Sequence, residues 1–358
     1  MNETFKHLKV VELASVLAGP SVGLFFAELG AKVIKVENKR TGGDVTRSWK
    51  LPSEDKNSSI SAYYSSVNFN KESLFLDLSS LSDQTIVHAL LEDADLIIVN
   101  FKHGDAAKFN LHYEQIKALY PTLIYAEITG FGEESDRVAY DLILQAETGF
   151  MSMNGTPDSG PVKMPIAFID LLAGHQLKEG VLLALYEREV LKKSGCCVSV
   201  SLYDAALASL ANQATNWLMA GHIPERIGSQ HPNISPYGEL FETKDGAMVT
   251  FAIGSDKQFR HLCEVLTKPT LADHHLFATN SLRVVNRIFL KTLLSEAVVL
   301  IDVEPLLQSL FEQYVPAARI KNMKEVFETA EAKKLLVHGK IENTETTSVK
   351  TAVFTIIR

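Results

Sequence analysis

Residues 9–37 read KVVELASVLAGPSVGLFFAELGAKVIKVE, and this stretch decides the fold. Residues 9–13 (KVVEL) are largely β-branched and read as a strand. Ala18-Gly19-Pro20 then turns the chain. Residues 21–29 set Val22, Phe25, Phe26 and Leu29 on one side of a helix, and Gly30 ends it, as glycines end helices. Residues 32–37 (KVIKVE) form a second strand. The alternation continues outward. Residues 74–78, 95–99 (DLIIV) and 123–128 read as strands, and residues 80–92 and 113–119 as helices. Strands that alternate with helices predict an α/β fold with a parallel sheet covered on both faces.

Further along, residues 170–189 form the longest predicted helix, opening after the apolar run Ile166-Ala167-Phe168-Ile169. Residues 196–202 (CCVSVSL) alternate like a strand, and residues 203–220 are helical. The character then changes, because residues 221–238 are rich in proline and glycine. Residues 239–243 and 248–253 flank Lys244-Asp245-Gly246, and Asp-Gly is a strong hairpin signal. Helices at 255–266, 283–294 and 304–314 complete a smaller α+β block. The tail holds a helix at 323–330 and strands at 335–342 and 348–357. The expected domains are therefore residues 1–220, completed by 331–358, and a small domain with linkers over 221–330.

At 358 residues the chain is too long for one ordinary domain. It carries 35 Lys plus Arg against 43 Asp plus Glu, a net charge of -8 with no basic run. That balance argues against nucleic-acid binding, which needs cations to neutralise phosphates. The three cysteines have no framework spacing and no C-x-x-C pair, which argues for a reducing compartment and against zinc. The N-terminus lacks the apolar core of a signal peptide, and no apolar run is long enough to span a membrane. A cytoplasmic location is expected.

No dinucleotide or P-loop glycine motif, no H-E-x-x-H and no G-x-S-x-G elbow occurs. His274-His275 lies without further ligands at metal spacing and reads as surface, so no metal is expected. Three features remain. The turn Val16-Leu17-Ala18-Gly19-Pro20 lies at the carboxyl end of the first strand, where parallel sheets bind ligands, and its helix start favours anions. A tight strand-to-helix connection explains it equally well. Lys35, Lys39, Arg40, Arg47, Lys71, Lys108 and Arg137 cluster near strand ends, which suits phosphate recognition or plain solvated surface. Asp170 opens the long helix. Locally it is a good N-cap, which would hold it ionised and low in pKa, as a nucleophilic carboxylate requires.

Several segments in order resemble one family. They are Val16-Leu17-Ala18-Gly19-Pro20, Leu29-Gly30-Ala31-Lys32-Val33-Ile34-Lys35-Val36-Glu37, Gly43-Asp44-Val45-Thr46-Arg47 and Asn70-Lys71-Glu72-Ser73. Val99-Asn100-Phe101, Ile128-Thr129-Gly130-Phe131-Gly132, Arg137-Val138-Ala139-Tyr140-Asp141 and Gln145-Ala146-Glu147-Thr148-Gly149 follow, then Asp170 with Gly174 and Gly180. The set is similar to the family III CoA-transferases, the CaiB/BaiF family, over residues 8–330. The resemblance implies a Rossmann-like large domain, a small α+β domain and an interlocked homodimer. It implies coenzyme A, carried as acyl-CoA, and a carboxylic acid as substrates. It places the catalytic carboxylate at Asp170, which forms a mixed anhydride and then an aspartyl-CoA thioester. It further implies Val16, Ala18, Lys39, Lys71, Phe101, Lys108, Arg137 and Tyr140 as CoA-binding positions.

Three departures bear on function. Leu17 stands where the formyl/oxalyl branch carries a glutamine, which lowers the case for oxalate. Lys108 replaces an arginine and loses its fork. The family's closing helical segment is expected to be absent after the last strand. The nearest rival is an α-methylacyl-CoA racemase, whose branch carries Gly-His-Asp where this chain has Ala139-Tyr140-Asp141. Tyrosine does not titrate near neutrality as an acid/base pair requires, which favours transfer. A catalytically inactive CoA-binding relative is the remaining alternative. Within the loop at 228–238, His231 and Asn233 are candidates to touch the acyl or acceptor group.

Overall fold

The computed structural model describes residues 3–357, and the chain divides into two compact units. Among the described residues, the first comprises 3–150, 163–223 and 333–357, and the second 151–162 and 224–332.

The first unit is built on six strands: β1 (Lys9–Glu12), β2 (Lys32–Asn38), β3 (Glu72–Leu76), β4 (Leu96–Val99), β5 (Ile124–Thr129) and β6 (Cys197–Ser201). They are all parallel, in the order β3-β2-β1-β4-β5-β6. This is the doubly wound order, and the strand order reverses between β1 and β4. Both faces are buried, so the strands read as nearly continuous apolar runs. Alternation sorts their side chains to opposite sides. Val10, Leu96, Ile98, Ile124 and Ala126 pack with the helices Ala18–Glu28 and Phe168–Val190. Val11, Ile97, Val99, Leu123 and Tyr125 pack with the helices Leu81–Leu91 and Tyr113–Leu119.

Most of the expected strands and helices form; the expected helix 283–294 is instead two, Asn280–Val285 and Arg287–Val298, and three further departures follow. The long helix begins at Phe168 with Ala167 at its N-cap, so Asp170 lies inside the first turn rather than at the cap. The stretch 203–220 is two helices, Leu202–Ala208 and Ala211–Ala220, with Ala211 in a left-handed conformation between them. The final strand is not 348–357. A hairpin forms instead from β10 (Leu336–Ile341) and β11 (Thr344–Val349), because Ile341 pairs with Thr344 across a two-residue turn. Glu342 takes the left-handed conformation that such a turn demands.

In the second unit, β7 (Tyr237–Glu242), β8 (Met248–Ala252) and β9 (Ala317–Arg319) form an antiparallel sheet. Phe241, Val249 and Phe251 from it pack with Phe259, Leu262, Leu290, Leu294, Leu306 and Leu310 from the helices. Arg283 is fully buried there. Its guanidinium donates to Ser235 O (2.9 Å), Phe277 O (2.9 Å) and Asp256 Oδ1 (2.7 Å) and lies 4.5 Å from the Phe259 ring centre. These bonds satisfy a charge that would be costly to bury alone.

Candidate active site

The first unit contains a cavity of about 660 Å³ at the carboxyl ends of its strands. Ser15–Ala18 after β1, Asn100–Ala107 after β4 and residues 127–130, 132–133 and 135–140 at and beyond the end of β5 line it, with Asp170 and Leu202. It therefore opens at the point where strand order reverses, the position where open α/β sheets bind ligands.

Asp170 is buried in this wall. Burial, followed by the charge of Asp141, pushes its carboxyl up to about 7. This corrects the sequence expectation of a low pKa. An N-cap carboxylate would have accepted backbone N–H bonds, whereas the N-cap position here is Ala167, which makes no side-chain cap bond. The Ile169 N–H is instead taken by Asp141 Oδ1 at 2.8 Å, and Asp141 Oδ2 accepts from Gln145 Nε2. Gln145 Oε1 in turn accepts from Met164 N at 2.8 Å. Asp141 thus anchors the helix start, and Asp170 is left with a desolvated carboxyl beside a second negative charge.

The β1–helix turn is held under strain. Val16 has φ 72°, a conformation that a β-branched residue avoids and that costs about 1–3 kcal/mol. Its N–H donates to Asp44 Oδ2 at 3.0 Å. Asn100, just after β4, grips the preceding residue twice: Ser15 N donates to Asn100 Oδ1 (3.0 Å) and Asn100 Nδ2 donates to Ser15 O (2.9 Å). A side chain at Gly19 would place a Cβ 2.3 Å from Ala14 Cβ, so only glycine lets the helix start this close to the strand end.

Of the residues implied to bind CoA, Val16, Ala18, Phe101, Arg137 and Tyr140 line the same cavity as Asp170. Arg137 lies 3.8 Å from the Phe131 ring centre and pairs with Glu147. Phe101 packs edge-on against Phe109. Lys39, Lys71 and Lys108 are not in the wall. Lys108 is exposed and paired with Asp105 at 2.7 Å, and Lys39 is exposed in a short turn beyond β2. Lys71 is turned inward: its ammonium donates to Glu12 Oε2 (2.8 Å), Pro20 O (2.8 Å) and Asn68 Oδ1 (3.1 Å). His231 and Asn233 lie in the second unit, where His231 Nδ1 accepts from Asn233 N at 3.1 Å.

The strand-end cations also have structural work to do. Lys35 is fully buried between Glu12 (3.0 Å) and Asp44 (3.2 Å) and donates to Ala14 O. Arg47 donates two bonds to Glu37 and one to Glu342. Residues that sequence reasoning missed as determinants of this wall are Asn100, Asp44, Glu12 and Asp141. A signal existed for Glu12 and Glu37. Each is an acid inside a strand that otherwise reads as buried, and a buried acid requires a partner.

The sequence signature of CoA-transferase family III matches residues 5–356. This chain belongs to that family. The chain is 39% identical over 326 residues to the succinate–glutarate CoA-transferase of Agrobacterium fabrum, covering 89% of this chain and 80% of that protein. It is 35% identical to the succinyl-CoA:mesaconate CoA-transferase of Haloarcula hispanica, over 90% of this chain and 81% of that one. It is also 35% identical to the human succinyl-CoA:glutarate CoA-transferase, over 89% and 72%. The crystal structure of a CaiB/BaiF family protein from Brucella suis superposes with a TM-score of 0.84 at 37% identity, covering 99% of this chain and 93% of that one. The protein is a CoA-transferase, acting on an acyl-CoA and a carboxylic acid. Among the described residues, no helix is long and apolar enough to cross a membrane.

Proposed function

We propose that this CoA-transferase works through Asp170 and an aspartyl-CoA thioester. The observation that carries the reading is a buried carboxyl, raised to about 7, in the wall of the cavity at the strand-order reversal. A carboxylate stripped of water and of hydrogen bonds is a stronger nucleophile than a capped one. Near neutrality a large share of it is ionised. An Asp170 oxygen attacks the thioester carbonyl of the donor, the C–S bond breaks, and CoA leaves as thiolate. The thiolate then attacks the aspartyl carbonyl of the mixed anhydride, which releases the donor acid. An acceptor carboxylate attacks the aspartyl-CoA thioester and expels the thiolate again. The thiolate takes the acyl carbon of the new anhydride, and Asp170 returns as a carboxylate. Ala18, the first residue of the helix Ala18–Glu28, lies at the cavity wall, and the N–H that opens a helix has no intrahelical partner, which supports a role in stabilising the oxyanions.

In this reading the first unit holds CoA against Val16, Ala18, Phe101, Arg137 and Tyr140. The donor and acceptor are dicarboxylic, a class supported by the names of the three relatives above. The enzyme acts in the cytoplasm as an interlocked homodimer. Exposed Leu183, Tyr186, Trp217, Leu218 and Met219 supply apolar surface for that pairing. The test is incubation with succinyl-CoA and a panel of free acids, followed by mass spectrometry of the peptide bearing Asp170. A CoA adduct there, lost in Asp170→Asn, is expected. CoA exchange that persists in Asp170→Asn would overturn the assignment.

A further inference from the structure

Val16 stands out because its strained backbone is gripped from both sides of the strand-order reversal. Asp44 reaches it from beyond β2 and Asn100 reaches its neighbour Ser15 from the end of β4. Of the two gripping groups, Asp44 is itself fixed. Asp44 is buried, and its Oδ1 accepts from Thr46 N (3.0 Å) and Thr46 Oγ1 (2.8 Å). Its backbone N–H donates to Glu37 Oε2 at 2.7 Å, and its Oδ2 lies 3.2 Å from Lys35 Nζ. Lys35 is shared with Glu12, which also receives Lys71. Two carboxylates and two ammonium groups are thus packed behind the turn. A strand-to-helix connection needs no such arrangement for its own sake. A left-handed β-branched residue persists only where its surroundings over-determine it, and such residues cluster at working sites.

We infer that Asp44 and Asn100 are positioning residues that hold Val16 in its left-handed conformation, and so set the cavity wall that the Val16–Ala18 turn shares with Asp170. The Val16 N–H is consumed by Asp44, so it does not itself bind the reacting oxygen. Its fixed φ instead sets the direction of the N–H groups that follow, at Leu17 and Ala18. The inference rests on the reading of this cavity as the place of transfer. Neither Asp44 nor Asn100 touches the reacting atoms in this account. Both act through the backbone.

The test separates positioning from mere support of the fold. Asp44→Ala is expected to lower kcat by about thirtyfold, with KM for acyl-CoA within about threefold. Adding Val16→Gly is expected to recover about fivefold of kcat, since glycine takes positive φ without strain. If Asp44 only supported the fold, glycine would recover nothing, and a double variant no faster than Asp44→Ala overturns the inference. If Asp44→Ala does not fold, Asn100→Ala decides, because it removes only the two bonds to Ser15. A kcat drop of about tenfold with KM within about threefold is expected there, and an unchanged kcat overturns the proposal. The wild-type enzyme is assayed alongside for the CoA adduct on Asp170. Its absence would strike the aspartyl mechanism, while the kcat comparisons would still decide the clamp.

Discussion

Gly174 and Ser21 meet where two helices of the first unit pack together. A Cβ on Gly174 would lie 2.3 Å from Ser21 Oγ and 3.1 Å from the Ala18 carbonyl oxygen. Gly174 is one helical turn beyond Asp170, and Ala18 is the first residue of the other helix. The bare glycine therefore sets the separation between the nucleophile's helix and the strained turn. Gly174→Ala forces the two apart. A stability loss of about 1–3 kcal/mol is expected from overpacking, measured by urea unfolding. A fall in kcat of about tenfold should accompany it, because misplacement by a fraction of an ångström is costly in an oriented reaction. Full activity in a destabilised variant would show that this spacing does not matter to the chemistry.

The pH profile follows from Asp170. Its carboxyl is raised from the ordinary 3.8 to about 7 by burial and by Asp141. The nucleophile must be ionised, so kcat/KM should rise with pH and level off above about 7. The sign for stability is opposite. A raised carboxyl favours the folded state fully below the ordinary value of 3.8, and that advantage is lost as pH rises through about 7. Asp170→Asn keeps a neutral side chain at every pH. The variant should gain on the wild type between pH 4 and 8, by on the order of 3–4 kcal/mol. Denaturant melts at stepped pH read this difference directly. A constant gap between the two proteins would mean the carboxyl is not raised.

Much of this arrangement is legible in the sequence alone. The alternation of KVVEL, LFFAEL and KVIKVE is enough for a parallel sheet, since only buried strands carry such runs on both faces. The turn after β1 follows from that sheet, because parallel sheets bind ligands at the carboxyl ends of their strands, whereas the positions after β4 and β5 rest on the family resemblance. Lys35, Lys71 and Arg47 were less legible. A cation near a strand end reads the same whether it faces phosphate or a buried acid, and the partners Glu12, Glu37 and Asp44 lie far off in sequence. Asp170 failed for a local reason. An aspartate at a helix start invites an N-cap assignment, but the helix begins at Phe168 and Asp141 takes the Ile169 N–H. Val16 gave no warning, since a β-branched residue is the least expected occupant of positive φ.

Arg47 and Glu37 form a buried pair outside the cavity. Their bonds are 2.7 Å and 2.6 Å, and Tyr64 adds a third donor to Glu37 at 2.7 Å. These donors hold the Glu37 carboxyl down at about 2, against its usual 4.5, in spite of burial. Such a group stabilises the fold above its ordinary pKa, and the contribution is lost as pH falls through about 2. Arg47→Leu leaves that carboxylate buried without its main partner. A loss of about 3–5 kcal/mol is expected at neutral pH. The variant should also lose its acid-limb dependence between pH 4 and about 2, because Glu37 no longer has a depressed pKa. Acid titration followed by far-UV circular dichroism checks both.

Lys71 offers the sharpest contrast between a binding role and a structural one. The family resemblance assigns it to the CoA wall, whereas its ammonium is spent inside, on Glu12, Pro20 O and Asn68. Burial is the largest influence on it and lowers its pKa to about 8. A cation so enclosed cannot reach a phosphate without abandoning Glu12, which would then share only Lys35. Lys71→Met keeps the chain length and removes the charge. If the inward placement holds, the variant loses about 3–5 kcal/mol of stability, because one buried carboxylate is left half-compensated. Its KM for acyl-CoA should stay within about twofold at temperatures where it remains folded. A large rise in KM with stability unchanged would instead return Lys71 to the ligand. The two outcomes differ in which measurement moves, so unfolding and steady-state kinetics on this one variant decide between them.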